Sequence, residues 1–421
     1  MAARALRHLA AKLELDMRHP VPVPRHDVSP HRATMDLPRE PARRLRRLLI
    51  AAAALLALGG AAAAVAGAAA GAARPDGPAA DASGAAAART PRREPVVLDT
   101  VRLARAYARA AELPRLRSLL VQWRGELVGE HYYRGAARAT PANIKSASKS
   151  VVSALVGIAL HEGRLRGLQQ PLTELLPTEA GALDSAKRAI TLEDLLTMRA
   201  GLQSTSFGNY GAWVSSRNWV RDALRRPMVA PPGHAGGPMI YSTGSSHLLS
   251  AAITRATGTS THAYAQRVLA RPLGFRLRGW ATDPQGVYFG GNEMRLTPRE
   301  MLAFGTLYLN RGRAADGTQV VPAAWVDSSW VPRTRSGWSG NAYGYGWWMR
   351  DAAGHPVYFA WGYGGQFIFV VPDLDLVVVT TSATDTDRER GHLDAIHALL
   401  AEEIVPAVGG GATDEEAGNR N

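Results

Sequence analysis

A serine and a lysine three positions apart, Ser146 and Lys149, are the residues of this 421-residue chain best suited to chemistry. Lysine is rare here, because only four of the 49 basic residues are lysines. A desolvated lysine can lose its proton and act as a base, whereas arginine stays charged in proteins. If the segment is helical, positions i and i+3 share one face, which brings the hydroxyl and the amine within reach of each other. The spacing therefore predicts a nucleophile beside its base.

Strand patterns lie at both ends of the region that carries this pair. Residues 117–123 and 126–133 flank an Arg-Gly turn, and residues 366–371 and 376–382 flank Pro-Asp-Leu-Asp, so each pair is predicted to form a hairpin. An antiparallel sheet built from the two ends, flanked by helices and with a mainly helical region inserted, is an α+β fold. The helical patterns cover residues 148–162, 192–198, 247–257, 298–310 and 392–404.

Three further motifs follow the serine and lysine in a fixed order. Ile190-Thr-Leu-Glu-Asp-Leu-Leu-Thr-Met198 precedes Gly201-Leu202, Tyr241-Ser-Thr243 comes next, and Gly362-Tyr-Gly-Gly-Gln366 runs into the last hairpin. Together the motifs resemble the serine β-lactamase and penicillin-binding-protein superfamily, and most of all its 6-aminohexanoate-dimer (nylon oligomer) hydrolases and their esterase relatives. The resemblance covers residues 96–406 and implies the β-lactamase/DD-peptidase-like form of the α+β fold.

The resemblance implies a role for each motif. Ser146 attacks an acyl carbonyl and forms an acyl-enzyme, Lys149 accepts the proton of Ser146, and Tyr241 passes a proton to the leaving group. The oxyanion hole pairs the backbone N–H of Ser146 with that of Tyr363. The implied reaction is the hydrolysis of small esters or linear amides by a serine hydrolase.

The substrate-binding residues implied by the same resemblance are Thr243, Trp361, Gly362, Gly364, Gly365 and Gln366. Glycines fit this place because bare backbone lets a substrate lie close to the strand. The chain departs from the family pattern at Thr243, where Asn or Ser is usual, and at Ala360-Trp361-Gly362, where the family has Lys or His. Without that cation a substrate carboxylate loses its partner, so we expect penicillins to be poor substrates.

An aromatic run before the last hairpin has two interpretations: its members line an apolar acyl pocket, or they are core residues beside glycines. The run consists of Tyr343, Tyr345, Trp347 and Trp348.

Alternatives come from several classes. A non-catalytic, membrane-anchored cell-wall sensor or binding module of the same fold would be expected to have lost Ser146, Lys149 or Tyr241, and all three are present. A D-amino-acid peptidase or a β-lactamase is the alternative within the enzymes. An α/β-hydrolase would need a Gly-x-Ser-x-Gly motif, which is absent. The glycines at 362–365 precede a strand rather than a helix, which argues against a dinucleotide-binding loop.

Composition narrows the possible partners. The chain is 46% apolar and 20% charged, which is typical of a globular protein. It has no cysteine and no zinc-binding histidine pattern, so neither a metal nor a cofactor is expected. The formal charge is +13, but residues 1–47 hold 11 basic against five acidic residues and the rest is spread thinly. We therefore expect a small-molecule substrate and no nucleic acid.

The N-terminal region carries a targeting pattern. Arg43-Arg44-Leu45-Arg46-Arg47 precedes 26 residues without a charge, 48–73, which is the length of a bilayer span. The positive-inside rule then places the following domain outside the cytoplasm, in the periplasm or on the outer face of the membrane. The segment is interpreted as a signal anchor, which would bind the membrane if uncleaved, as a cleaved signal peptide, or as a buried helix.

The remaining boundaries follow from composition. Residues 1–47 are interpreted as a basic, disordered tail, with Met35 as an alternative start. Residues 74–95 are predicted to be a flexible linker, 96–407 the hydrolase domain and 408–421 a disordered tail.

Overall fold

The computed structural model of the protein describes residues 97–181, 183–384 and 391–409. The predicted N-terminal tail, the uncharged segment 48–73 and the linker 74–95 lie outside these residues, as does the C-terminal tail apart from residues 408 and 409. Within the described ranges, no helix is long and apolar enough to cross a membrane.

A large antiparallel sheet is built from both ends of the described chain. Its strands are β1 (Leu116–Trp123), β2 (Glu126–Tyr132), β5 (Thr334–Arg335), β6 (Ala342–Tyr343), β7 (Trp348–Ala352), β8 (His355–Gly362), β9 (Gln366–Val371) and β10 (Leu376–Ser382). Their order is β2-β1-β10-β9-β8-β7-β6-β5, and β3 (Ala142–Asn143) and β4 (Arg295–Leu296) form a separate pair. The α+β prediction is confirmed, because β1 pairs antiparallel with β10 and so joins the two predicted hairpins in one sheet.

Every residue of β9 and β10 is buried, since both faces of the sheet are covered. Alternate residues of a strand point to opposite faces. Phe367 and Phe369 pack in the core on one face, whereas Ile368 and Val370 pack in the core on the other. This two-sided burial explains why both strands appear in the sequence as continuous apolar runs, and why their predicted bounds are confirmed.

The helices lie on both faces of the sheet, and most belong to the segment inserted between β2 and β5. They are α1 (Thr100–Glu112), α2 (Ser148–His161), α3 (Leu172–Leu175), α4 (Pro177–Ala180), α5 (Ser185–Arg188), α6 (Leu192–Leu196), α7 (Tyr210–Val214), α8 (Trp219–Arg225), α9 (Thr243–Thr257), α10 (Thr261–Ala265), α11 (Pro298–Leu309), α12 (Ala323–Ser329), α13 (His392–Ala398) and α14 (Val405–Gly409). A π-helical stretch, Leu399–Ile404, joins the last two helices and completes the predicted C-terminal helix.

Two of these helices position the site. The first, α2, is apolar all round and buried along nearly its whole length, as its sequence predicts. The second, α9, begins four residues before the predicted start. Its first turn is capped from a distant segment, because Ser206 Oγ accepts from Thr243 N (2.8 Å) and Thr205 Oγ1 accepts from Gly244 N (2.7 Å).

Candidate active site

Ser146 lies in a short 3₁₀ turn, Lys145–Ala147, that leads directly into α2, and Lys149 lies in the first turn of that helix. Ser146 is partly exposed, whereas the residues on either side of it are buried. The Lys149 amine is buried and lies 2.8 Å from Ser146 Oγ. The structure thus brings the predicted nucleophile and base into hydrogen-bonding contact.

Burial lowers the pKa of Lys149 to about 7. The amine also donates to the Gly291 carbonyl oxygen at 2.9 Å and lies 3.4 Å from Thr243 Oγ1. A neutral amine has two N–H groups and one lone pair. With its N–H groups directed to Gly291 and Thr243, the lone pair is left to accept the Ser146 hydroxyl proton, which is the arrangement that a general base requires.

Tyr241 precedes α9, and its ring centroid lies 5.0 Å from Lys149 Nζ. Burial raises the pKa of its hydroxyl above the ordinary value, and a hydrogen bond with the Ser146 side chain offsets only part of this rise. The hydroxyl therefore keeps its proton at neutral pH. A protonated tyrosine in contact with the nucleophile can serve as a proton donor.

Thr243 contributes a hydroxyl to the same cluster, and Ser206 extends it. Thr243 Oγ1 lies 2.9 Å from Ser206 Oγ, so hydroxyl groups run from Lys149 through Thr243 to Ser206. Sequence reasoning missed Ser206. The run of three hydroxyl residues at 204–206 was the available signal, but its partner lies 37 positions away.

The loop that carries Gly290 and Gly291 was also missed. A Cβ at Gly291 would lie 3.0 Å from Lys149 Nζ and 2.9 Å from Thr243 Cγ2. A Cβ at Gly290 would lie 2.0 Å from the carbonyl oxygen of Ser246 in α9. Gly290 needs glycine because its backbone lies against the backbone of α9, whereas a side chain at Gly291 would press on Thr243 and Lys149. The close approach of this loop delivers the Gly291 carbonyl oxygen to the lysine.

The third motif forms the turn after β8. Gly364 and Gly365 have φ values of +84° and +103°, which L-residues rarely adopt. A Cβ on Gly362 would lie 2.1 Å from the Ile144 carbonyl oxygen, so this turn packs against the residue two before Ser146. Tyr363, the predicted second oxyanion-hole residue, therefore lies in a turn that packs on the segment of the nucleophile.

Gln366, at the other end of the same turn, has a fully buried side chain. Its amide nitrogen donates to the Ser382 carbonyl oxygen at 2.8 Å, and its amide oxygen accepts from Ser382 N at 3.2 Å. These bonds tie the start of β9 to the end of β10. The Gln366 amide therefore has a structural role in the sheet, and its predicted role in substrate binding stays a prediction.

The aromatic run before β8 belongs to the core, which confirms the second of its two interpretations. Each of its four residues is at most 2% exposed. Tyr343 and Trp348 pack against Tyr241, with ring centroids 6.5 and 5.7 Å away. Trp347 packs on Tyr308 in α11, with centroids 4.5 Å apart. None of the four opens onto a substrate pocket, but two of them hold the Tyr241 ring.

A buried ion pair immediately before the nucleophile is the largest feature that sequence reasoning missed. Lys145 Nζ lies 3.3 Å from Glu293 Oε1, and the side chains are only 5% and 13% exposed. Asn143 Nδ2 donates to Glu293 Oε2 at 2.9 Å, and Asn143 Oδ1 accepts from Lys145 N at 3.0 Å. Lys145 and Glu293 both have left-handed backbone, with φ of +51° and +59°. The pair joins the segment that ends in Ser146 to the segment that follows Gly291.

We expect Lys145→Met to lower the free energy of unfolding by about 3–5 kcal/mol, because it leaves the Glu293 carboxylate buried without its counter-charge. Glu293→Gln should also be destabilising, because it leaves the Lys145 ammonium buried without its counter-charge. The double variant Lys145→Met/Glu293→Gln should be more stable than Lys145→Met alone, since it leaves neither charge unpaired. Urea unfolding of the three variants measures this, and additive losses would contradict it.

Metal ligands are not assembled in the described part of the chain, where no group of three or more His, Asp or Glu side chains could hold an ion.

The sequence is similar to those of known proteins. A family model described as Beta-lactamase matches residues 117–403. The 6-aminohexanoate-dimer hydrolase of Paenarthrobacter ureafaciens is 24% identical over 297 residues, which are 65% of this chain and 74% of that protein.

Solved structures share the fold. A hydrolase with promiscuous acyltransferase activity has a TM-score of 0.58 at 16% identity, covering 74% of this chain and 99% of its own. Simvastatin synthase from Aspergillus terreus has a TM-score of 0.57 at 16% identity, with the same coverage of 74% and 99%. Because the family model spans more than half of the 421 residues, this chain is a member of the Beta-lactamase family.

Proposed function

We propose that this protein is a serine hydrolase that acts through an acyl-enzyme on small esters or linear amides. The observation that carries the proposal is the buried Lys149 amine, which has a pKa near neutrality and lies 2.8 Å from Ser146 Oγ. The relative named 6-aminohexanoate-dimer hydrolase and the structural neighbour named as a hydrolase support the same class of reaction.

Acylation would begin with attack of Ser146 Oγ on the carbonyl carbon of the substrate, while the Ser146 proton moves to Lys149 Nζ. The negative charge that forms on the carbonyl oxygen would be stabilised by hydrogen bonds that the backbone N–H groups of Ser146 and Tyr363 donate. Ser146 also lies two residues before the 14-residue helix α2, whose dipole favours negative charge near its N-terminus.

The leaving group would depart when Tyr241 donates its proton to the ester oxygen or amide nitrogen, so that the bond to the acyl carbon breaks. The Lys149 ammonium then returns a proton to Tyr241 and is neutral again. Deacylation would use water as the nucleophile: neutral Lys149 accepts a proton from the water as its oxygen attacks the acyl carbon, and the Lys149 ammonium then donates that proton to Ser146 Oγ as the bond between Oγ and the acyl carbon breaks. Thr243 would hold the lysine and bind substrate, with Trp361, Gly362, Gly364 and Gly365 along the end of β8.

Esters should be hydrolysed with a higher kcat/KM than β-lactams. The third-motif position that binds a substrate carboxylate in relatives is Ala360, which is fully buried. A hydrogen bond to a charged group contributes about 1.5–3 kcal/mol, so its absence would weaken binding by roughly ten- to 150-fold. Steady-state kinetics with p-nitrophenyl butyrate and nitrocefin on one preparation test this. A higher kcat/KM for nitrocefin would refute the ester and amide assignment.

We also propose that the catalytic domain acts outside the cytoplasm, anchored by or released from residues 48–73. The basic cluster at 43–47 and the uncharged stretch after it support this orientation. Protease added to spheroplasts should digest the domain, provided that a cytoplasmic marker protein stays intact. Full protection of the domain would contradict the proposal.

A further inference from the structure

Two exposed aromatic side chains flank the proposed proton donor. Phe207 is 48% exposed and Trp338 is 54% exposed, and they are the only aromatic residues among the large apolar side chains that the described residues leave exposed. Their ring centroids are 6.1 Å apart in an edge-to-face arrangement. Each also contacts the Tyr241 ring, at 6.2 and 6.5 Å. Exposed apolar surface beside a catalytic cluster is typical of a binding site.

Trp361 extends this surface to the third motif. It lies on β8 next to Gly362, is partly buried, and packs on Trp338 with ring centroids 5.2 Å apart. We call Phe207, Trp338 and Trp361 together the aromatic lip. The lip therefore reaches from Tyr241 to the end of β8, over the buried ring of Trp348.

The two exposed rings are held by polar contacts of their loops. Ser204 Oγ donates to the Tyr241 carbonyl oxygen at 2.7 Å and accepts from Ser206 N at 2.9 Å, which fixes the loop of Phe207 to Tyr241. Ser336 Oγ accepts from Ser339 N at 3.2 Å, and the Ser336 carbonyl oxygen accepts from Gly340 N at 2.9 Å, which closes the turn that carries Trp338. The lip is thus a preformed surface, which lowers the entropic cost of binding a ligand.

We propose that the aromatic lip binds the leaving-group half of the substrate, and that this half is an uncharged, aryl-bearing alcohol or amine. The inference rests on the proposed function, in which Tyr241 protonates the leaving oxygen or nitrogen. The substituent on that leaving atom therefore lies next to the Tyr241 hydroxyl. The lip is the exposed surface that packs around the same tyrosine ring. Aromatic faces and edges recognise other aromatic rings by offset or edge-to-face packing.

The charges around the lip favour an uncharged ligand. Over the described residues, cations lie above the rings of Trp123, Tyr241, Tyr264 and Tyr345, and none lies above a lip residue. The faces of the lip rings therefore offer a carboxylate no cation in exchange for its lost hydration, and the exposed Arg335 guanidinium on the Trp338 turn already donates to the Gly340 carbonyl oxygen. The lip rings also pack on one another at 5.2 to 6.1 Å, so they do not form an open cage around a cation.

The test compares esters that share one acyl group. Phenethyl acetate and ethyl acetate give the same acetyl-enzyme and release alcohols of similar acidity, so a difference in kcat/KM reports how the leaving group is bound during acylation. We expect the wild-type protein to favour phenethyl acetate by about tenfold or more, the size expected for burying most of a phenyl group. Phe207→Ala and Trp338→Ala should each remove most of that preference.

The readout is the ratio of the two kcat/KM values, because both rings contact Tyr241 and any loosening of that ring lowers the hydrolysis of both esters alike. Val97→Ala, which truncates an apolar residue that is 78% exposed in the N-terminal part of the described chain, is the matched control and should leave the preference intact. An equal loss for both esters in Phe207→Ala and Trp338→Ala would overturn the proposal, because it would show general damage to the site.

Two further substrate pairs define the ligand. Ethyl acetate and ethyl 3-phenylpropanoate share a leaving group and differ in the acyl group. If the lip variants change the ratio of kcat/KM for this pair and not for the first, the lip binds the acyl half and the proposal is wrong. A preference for acetylcholine over its uncharged isostere 3,3-dimethylbutyl acetate would overturn the uncharged assignment. Failure of the proposed function is distinguishable, because ethyl acetate hydrolysis would then survive Ser146→Ala, whatever the lip does.

Discussion

Lys149→Arg is expected to lower kcat as severely as Lys149→Ala, by about 10³-fold or more, the scale on which a nucleophile and its base act as a unit. Arginine keeps the positive charge but cannot release its proton at any accessible pH. The variant therefore separates the two roles that a lysine beside a serine can have. If Lys149 only supplied charge, the arginine variant would retain near-normal turnover of p-nitrophenyl butyrate.

The pH profile of the wild-type protein gives an independent readout of the same base. In the proposed mechanism Lys149 acts as the neutral amine, and burial lowers its pKa to about 7. The value of kcat/KM should therefore rise with pH up to about 7 and then level off. It should not fall again through weakly alkaline pH, because burial raises the pKa of the Tyr241 hydroxyl and the proton donor keeps its proton. A profile that is flat from pH 5 to 9 would contradict the assignment of Lys149 as the base.

Ser146→Ala should lower kcat by about 10³-fold or more, because no other hydroxyl replaces the nucleophile. The matched control is Ser148→Ala. Ser148 is fully buried two positions along the chain, and its hydroxyl is among the buried groups of the described residues that have no hydrogen-bond partner. Removing an unsatisfied buried hydroxyl should be neutral or stabilising, so Ser148→Ala should keep its activity. Equal kcat values for the two variants would show that Ser146 is not the nucleophile.

The local sequence pattern is sufficient to predict those parts of the fold that depend on residues close together in the chain. The strands β9 and β10 are continuous apolar runs bounded by turn residues, and they begin and end where the sequence predicts. The i, i+3 spacing of Ser146 and Lys149 likewise predicts their contact, because a helix places those positions on one face.

The rest of the site depends on contacts between distant segments. The first turn of α9 is capped by Thr205 and Ser206, which lie 39 and 37 positions from their partners. The Gly291 carbonyl meets Lys149 across 142 positions, and Glu293 meets Lys145 across 148. The periodicity of a single helix or strand cannot predict contacts between such distant residues. The rarity of lysine in this chain was, however, a signal that could have drawn attention to Lys145.

Motif resemblance and residue type do not predict which way a side chain packs. Gln366 belongs to a glycine-rich motif, but its amide is used to join β9 to β10. The aromatic run at 343–348 could equally line a pocket or fill the core, and it fills the core. Phe207 and Trp338, which no motif contains, are the aromatic residues that remain exposed beside Tyr241.

The central claim is that Ser146 becomes acylated, and peptide mapping after reaction with a fluorophosphonate probe tests it most directly. Ser146 is the only one of the 22 serines that has a lysine three positions further on. We predict a single modified peptide that contains Ser146, with labelling lost in Ser146→Ala and retained in Ser148→Ala. Labelling that persists in Ser146→Ala, or that maps to another serine in the wild-type protein, would contradict the account.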